Sequence, residues 1–395
     1  MIKYKMPDGW IRYDFAKVAN ELMLARAAIL SLTNIPYQRS WTEQLQVVQL
    51  KREVAGTSRI EGADFTDKEL DAAMKESPEQ LHTRSQRQAA AAVRTYRWIA
   101  GLQSDRAVDA ALIKETHRHI ITGADDDHCP PGQLRGQDVN VTFGVPPHRG
   151  AEGGEECAAA FDGLCRAAQQ EFQGHDPLIQ ALALHYHFAA MHPFLDGNGR
   201  TARALEALML QRVGLKDTLF IAMSNYYYEE KNSYLKALAS VRAADHDLTD
   251  FLIFGLKGVA VQCNRLFDEI RKNVAKALFR NVMFDLFNRL RTTRKRVIAE
   301  RHIDILKRLL AVDKLSLEEL TEQSKAIYAP LKNPYKALIR DINYLIRLKA
   351  IGFAKLPENR YELFARLEWP TEITETEFFR SVKEMPKAKT HGFLA

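Results

Sequence analysis

Positions 192 to 203 read HPFLDGNGRTAR, a histidine, an acid, two glycines, an asparagine and two arginines in one short stretch. An imidazole with an ordinary pKa near ~6.5 is suited to take a proton from a hydroxyl at neutral pH. Pro193 disfavours α geometry at His192, so the preceding helix must stop there and carry the imidazole at its end. Asp196, Gly197, Asn198 and Gly199 make the turn, and the glycines permit positive φ and close approach to a ligand. A second helix is expected from about Gly199. Its first turn exposes free N–H groups and the positive end of the helix dipole, a site for phosphate. Arg200 and Arg203, spaced i, i+3, project from one face of that turn. Two forked guanidiniums beside an anion hole imply more than one phosphate, and Asp196 is placed to hold Mg²⁺ or Mn²⁺ bridging them. The chemistry these residues point to is that of a base acting beside a bound polyphosphate.

Other readings fit the stretch less well. No strand precedes the glycines, as a dinucleotide fold would require. Asp196 and Asn198 echo a calcium loop, yet Arg200 and the lack of a later bidentate glutamate oppose it. His185 and His187, near His192, suggest zinc only until their i, i+2 spacing is noted, since it points them to different helix faces. Both are expected to pack or to brace other groups.

The elements that position this stretch are helical. FAKVANELMLARAAILSL, EQLQVVQLKREVAG, RQAAAAVRTYRWIAGL and DPLIQALALHYHFAAM repeat apolar residues at three- and four-residue spacing. Asp176-Pro177 is a helix start, a capping acid followed by proline at the first helical position. Residues 123 to 150 differ: rich in Gly, Pro and Asp, they hold the alternating run DVNVTF, which reads as a short strand or hairpin. After about residue 250 a long amphipathic helix or two leads into the basic run RLRTTRKR. HIDILKRLLAV, SLEELTEQS and NPYKALIRDINYLIRLKAIG then predict three short helices, and FAKLPENRYELF a hairpin. That order is the layout of a winged helix-turn-helix. The tail from 371 to 395 is expected to be loosely held.

HPFLDGNGRTAR resembles the signature of Fic-domain proteins, HPFx[D/E]GNGRxxR, at every defining position, and the resemblance extends over roughly residues 50 to 260. It implies a mainly α fold: a helical core with a small β-hairpin flap over the active site. Taken with the C-terminal pattern, it divides the chain into four expected regions: 1–110, helical, N-terminal and carrying the inhibitory motif; 111–290, the catalytic core; 300–370, the winged-helix-like module; and 371–395, the tail. It also implies a protein adenylyltransferase, moving AMP from ATP to a Ser, Thr or Tyr hydroxyl. His192 would be the general base and Asp196 the metal ligand. Backbone groups at Gly197 and Gly199, with Asn198, would hold the α- and β-phosphates. Arg200 would stabilise the β-phosphate and Arg203 grip the γ-phosphate, with Thr201 and Ala202 in the same nucleotide-binding turn. DVNVTF followed by GVPPHRG sits where relatives carry the flap, whose strand edge would receive a target segment by β-addition; the bland alternative is an ordinary surface hairpin. Tyr227, Tyr228 and Tyr234 of SNYYYEEKNSYLKAL are candidates for adenine contact, although each is better explained as core packing.

TSRIEG, residues 57 to 62, poses a separate problem. It ends a helix, with Gly62 in the C′ position, so Glu61 lies at the negative end of the dipole. A partner arginine would remove that mismatch. TSRIEG also resembles the family's inhibitory motif, [S/T]xxxE[G/N], through Thr57, Glu61 and Gly62. The resemblance implies that Glu61 borders the nucleotide and pairs with Arg203, so that ATP binds unproductively, with Thr57 or Ser58 orienting the pair. In some relatives this glutamate is instead the base for removing AMP, and the residues do not choose between the two directions.

A net charge of +6 permits contact with polyanions without demanding it. Lys336, Arg340, Arg347 and Lys349 on the last module's third helix could meet DNA phosphates, though Asp341 and SLEELTEQ dilute that footprint. A DNA-binding regulator using residues 300–370 is therefore the competing reading. The expected partner is a target protein at the flap, and a homodimer is left open. No apolar run approaches the ~20 residues of a membrane span, and no signal peptide is evident, so cytoplasm is expected. Four dispersed cysteines (Cys129, Cys157, Cys165, Cys263) suit buried, reduced thiols.

Overall fold

Asp176 caps the central helix as its sequence requires, its carboxylate accepting from the Leu178 N–H with Pro177 at the first helical position. This helix, α7 (Pro177–Met191), has residues 178 to 191 all buried, because a helix apolar on every side can only be a core element. The computed structural model describes residues 2–35, 39–75, 81–103, 105–213, 221–290 and 292–383. Contacts divide the chain into two units, Met1–Asp268 and Glu269–Ala395.

In the first unit α1 (Phe15–Asn34), α2 (Arg39–Ile60), α3 (Asp67–Met74), α4 (Arg84–Ala100), α5 (Ala110–Ile121) and α6 (Glu155–Gln169) precede α7. After it come α8 (Asn198–Gln211), α9 (Met223–Glu229), α10 (Lys231–Ala243) and the start of α11 (Thr249–Asn288). The alanine run Ala89–Ala92 on α4 is buried, its small side chains letting neighbouring helices approach. Helix α2 comes closer still to α9: a Cβ on Gly56 would stand 2.4 Å from the Ser224 backbone, so only glycine fits there. A small sheet completes the unit, in the order β1 (Ile2–Lys3), β3 (His148–Arg149), β2 (Thr142–Phe143). Strands β2 and β3 are the expected hairpin. The parallel strand β1 was not legible, since two residues carry no alternation pattern. All four cysteines are buried and free.

In the second unit the end of α11 and helices α12 (Thr293–Ala311), α13 (Leu317–Tyr328) and α14 (Pro334–Arg347) pack with a three-stranded antiparallel sheet. Its order is β4 (Leu315–Ser316), β6 (Tyr361–Ala365), β5 (Ile351–Lys355). Lys336, Arg347 and Lys349 are exposed. Asp341 is not: it is 2% exposed, accepting from Arg301 Nε at 2.8 Å and the Tyr328 hydroxyl at 2.9 Å. It therefore does not dilute the basic face, contrary to expectation, because it neutralises a buried arginine. The expected loose tail is also ordered through 383. Helices α15 (Trp369–Glu372) and α16 (Glu375–Lys383) bury Trp369, Phe378 and Val382, and Glu375 takes both terminal nitrogens of Arg289 at 2.8 Å. The Phe378–Val382 spacing of i, i+4 supplies the buried stripe. Residues 384–395 of that tail lie outside the described residues.

Candidate active site

His192 sits at the C-cap of α7 in the left-handed region, φ 53° and ψ 60°, a conformation costly for a side chain with a Cβ. Several bonds hold it. Its N–H donates to Phe188 O at 3.1 Å, and Arg135 Nε donates to His192 O at 2.8 Å. Arg135, 4% exposed, also reaches Val139 O at 2.6 Å and Ala151 O at 2.5 Å, tying both sides of the flap to this turn. The imidazole Nδ1–H donates to Ala189 O at 2.7 Å, which leaves the Nε2 lone pair free. Phe143, on β2, stacks on the ring at 3.7 Å between centroids and 10° between planes. Loss of water around the ring pushes the His192 pKa down to about 4, the bond to Ala189 and the charge of Glu61 opposing the shift. The expectation of an ordinary imidazole near ~6.5 is corrected by this covering ring. At neutral pH the base is unprotonated, as proton acceptance requires.

The turn after His192 is braced from within. Asn198 accepts from Phe194 N–H at 2.9 Å and donates to Phe194 O at 2.8 Å, so its side chain serves the turn and only its backbone faces a ligand. His117 stacks on Phe194 at 3.7 Å, accepts from Gly132 N–H at Nδ1 and bonds Asp196 O at 3.0 Å through Nε2. Gly197 then caps α8 at φ 74°, and no side-chain cap bonds the first N–H groups. Thr201 and Ala202 are buried and offer that site no side chain.

Arg200 and Arg203 leave this turn buried, each 3% exposed, and each meets a carboxylate. Arg200 donates to Asp125 at 2.6 Å, while its Nε is enclosed and unpartnered. Asp125 also accepts from Arg84 at 2.6 Å and from Gln88 at 3.0 Å. Arg203 donates from Nε to the Thr57 hydroxyl at 2.9 Å, and from one terminal nitrogen to Thr57 O at 3.1 Å and Glu61 at 2.6 Å. Burial alone would raise the Glu61 pKa, but Arg203, then Arg200 and His192, hold it below the usual carboxylate range. The same Glu61 oxygen lies 2.3 Å from where a Cβ on Gly199 would stand. The carboxylate thus occupies the mouth of α8, where the dipole and free N–H groups favour an anion. Gly62 follows at φ 90°, in the position its sequence suggested. Of the two residues expected to orient the pair, Thr57 does so; the Ser58 hydroxyl is buried with no partner.

Asp196 lies on the outer side of the turn. One oxygen accepts from Gly197 N–H at 2.5 Å; the other contacts His128 at 2.9 Å and Arg84 at 3.2 Å. Asp125, His128 and Asp196 bring ligand atoms within 4.8 Å of one another. Asp125 is committed to Arg84, Arg200 and Gln88, so Asp196 is the carboxylate that fits a hard divalent cation, with His128 and Arg84 the groups to be displaced. The other histidines serve packing: His185 bonds Glu206 and Tyr234, and His187 bonds Trp10 O. Tyr227 and Tyr234 are buried, and Tyr228 is 40% exposed beside Arg59.

A half-buried imidazole at a helix end, an uncapped start to the next helix and two enclosed arginines form an arrangement suited to phosphate chemistry within an α-helical core. Residues 107–210 match the Fic/DOC family, so the chain carries a domain of that family. It is 31% identical over 135 residues to the protein adenylyltransferase Fic of Nematostella vectensis, covering 33% of this chain and 30% of that one. It is 32% identical over 114 residues to the protein of the same name from Culex quinquefasciatus, covering 29% and 22%. The chain thus spans under a third of the length of these curated relatives. Its fold is similar to a Fic family protein from Desulfovibrio desulfuricans, with TM-score 0.58, 17% identity and coverage of 91% of this chain and 98% of that one. A Fic-domain signalling protein from Bacteroides thetaiotaomicron gives TM-score 0.51 at 19% identity, covering 64% and 94%.

Proposed function

We propose that this protein transfers AMP from ATP to a hydroxyl side chain of a target protein, and that Glu61 holds the reaction in check. The observation that carries the reading is the Glu61–Arg203 pair over Gly199, a carboxylate in the place of a phosphate beside an unprotonated imidazole. The relatives named protein adenylyltransferase supply the reaction class.

In this mechanism the target hydroxyl gives its proton to Nε2 of His192 as its oxygen bonds to the α-phosphorus of ATP. The bond from that phosphorus to the bridging oxygen breaks, and pyrophosphate leaves with the electron pair. The N–H groups of Gly197 and Gly199 and the free Nε of Arg200 stabilise negative charge on the phosphates. Arg203 receives the γ-phosphate once Glu61 withdraws. Mg²⁺, held by Asp196, would neutralise charge on the polyphosphate. Catalysis is then mainly positioning and charge stabilisation.

The test is mass spectrometry of the intact chain with ATP and Mg²⁺. Glu61→Gly should label itself or an added substrate with one AMP at least tenfold faster than wild type, and His192→Ala should abolish the gain. Equal labelling by wild type and Glu61→Gly would remove the brake from this account. No mass gain in any variant would remove the transferase. A second reading has its own support: exposed Lys336, Arg347 and Lys349, with Asp341 turned inward, give a winged-helix-like module spanning 300–370 a basic face, with Glu372 and Glu377 beside it.

A further inference from the structure

Arg200 and Arg203 each face a carboxylate, and Arg135 is satisfied by backbone carbonyls. Arg242, on α10, has no such counterpart. It is half-buried, and its Nε is enclosed without a hydrogen-bond partner. Among the described residues no carboxylate pairs with it. A partly dehydrated guanidinium without an anion is unfavourable, and binding one would recover the loss. Burial pushes its pKa down, with Tyr186 and Tyr234 only partly offsetting this.

Its location indicates which anion. The guanidinium carbon lies 5.6 Å from the centre of the Phe143 ring, and that ring is stacked on His192. A terminal nitrogen lies 3.5 Å from where a Cβ on Gly144 would stand. Arg242 therefore belongs to the flap and to the approach to the base, whereas the phosphate site at α8 has its own two arginines. Its charge reaches both rings there, lowering the pKa of His192 and of His148. The flap sheet adds Lys3, in register with Arg149, which pairs with Glu152 at 3.6 Å, and leaves β2 as an edge with no further strand beside it among the described residues. An extended segment on that edge would bring its side chains past Arg242 within about three positions of the one at His192, at ~3.3 Å per residue.

We propose that Arg242 is a specificity-determining residue that pairs with an Asp or Glu side chain close to the target hydroxyl. The site thereby favours acidic segments. This rests on the adenylyl-transfer reading only in taking the flap as the docking edge for a target.

The test uses the full chain carrying Glu61→Gly and extended synthetic peptides. Each peptide holds one Ser, Thr or Tyr flanked within three positions by Glu, Gln or Lys. Binding is read by fluorescence anisotropy without ATP, at low and high salt. Glu-flanked peptides should bind about tenfold tighter than Gln-flanked ones, as expected for a charge-assisted bond at a partly dehydrated site, and the margin should shrink with salt. Arg242→Gln should level the two series, and Arg242→Glu should turn the preference to Lys. Equal affinity for Glu and Gln peptides, an acid preference that survives Arg242→Gln, or no binding of any peptide would overturn the proposal. So would an Arg242→Gln variant that loses only ATP affinity, because the arginine would then serve the nucleotide. AMP transfer is measured separately: peptides bound with the preference but never labelled would sink the transferase and leave this inference standing.

Discussion

At the scale of single residues, the proposed transfer depends on the state of one ring. His192 is a base only when neutral, so its activity is lost as pH falls through its pKa, which burial has lowered to about 4. In the Glu61→Gly background, kcat/KM should therefore be flat with pH from about 5.5 upward, since removing Glu61 takes away a charge that raised the pKa. Phe143→Ala uncovers the ring. Its acid limb should climb toward the ordinary imidazole value near ~6.5, making the rate at pH 5.5 roughly a tenth of the plateau. A limb unchanged by Phe143→Ala would mean that some other group sets the His192 environment. Much of this was legible in HPFLDGNGRTAR, because proline, glycine and paired arginines carry their geometry locally. The covering ring was not, since Phe143 meets His192 only after the flap folds back. Asp125 was equally hidden. In GADDDHCPPG it reads as a loop acid, and only the fold reveals that it alone of that run meets Arg200, Arg84 and Gln88.

At the scale of elements, the proposed brake depends on how α2 is docked. Glu61 lies just beyond its end, and Glu53, two turns earlier, is 1% exposed and takes three donors. Tyr96 O–H on α4 and Ser224 N–H on α9 each donate at 2.8 Å, and the Ser224 hydroxyl donates as well. Burial raises the Glu53 pKa to about 7 against those bonds. Gly56, one turn on, allows the helix backbone to meet α9. Glu53→Ala leaves three buried donors unmet, at a cost of about 1–3 kcal/mol for each such group and less where water enters. It should therefore lower the denaturation midpoint and, by loosening α2, raise labelling above wild type with Glu61 intact. If the midpoint falls but labelling stays at the wild-type level, α2 is held at Glu61 by Arg203 alone. Sequence periodicity predicted the helix and its glycine end correctly. It did not reveal the anchor, because a glutamate on an amphipathic helix reads as a solvated charge until its surroundings are known.

At the scale of the whole molecule, His192 and the basic residues of α14 fall in different units, so the two proposed readings can be tested separately. In the second unit Arg301 and Asp341 neutralise each other inside the core at 2.8 Å, while Lys336, Arg347 and Lys349 remain outside. Phosphate neutralisation releases counterions, so each lysine or arginine that touches DNA steepens the salt dependence by about one unit of slope. In the full chain, Lys336→Glu with Arg347→Glu should abolish a duplex gel shift near ~0.1 M salt. Single Lys336→Gln should only flatten the slope of log affinity against log salt by about 0.9. AMP labelling in the Glu61→Gly background should be the same in all of these, since none of these residues belongs to the unit that holds His192. The expected footprint is modest, because the chain carries only +6 over its whole length. A shift that persists in the double variant would place any nucleic-acid contact elsewhere. No shift for wild type at ~0.05 M salt would make the module a protein-docking element, for which an outward-facing row of lysine and arginine on α14 is equally serviceable.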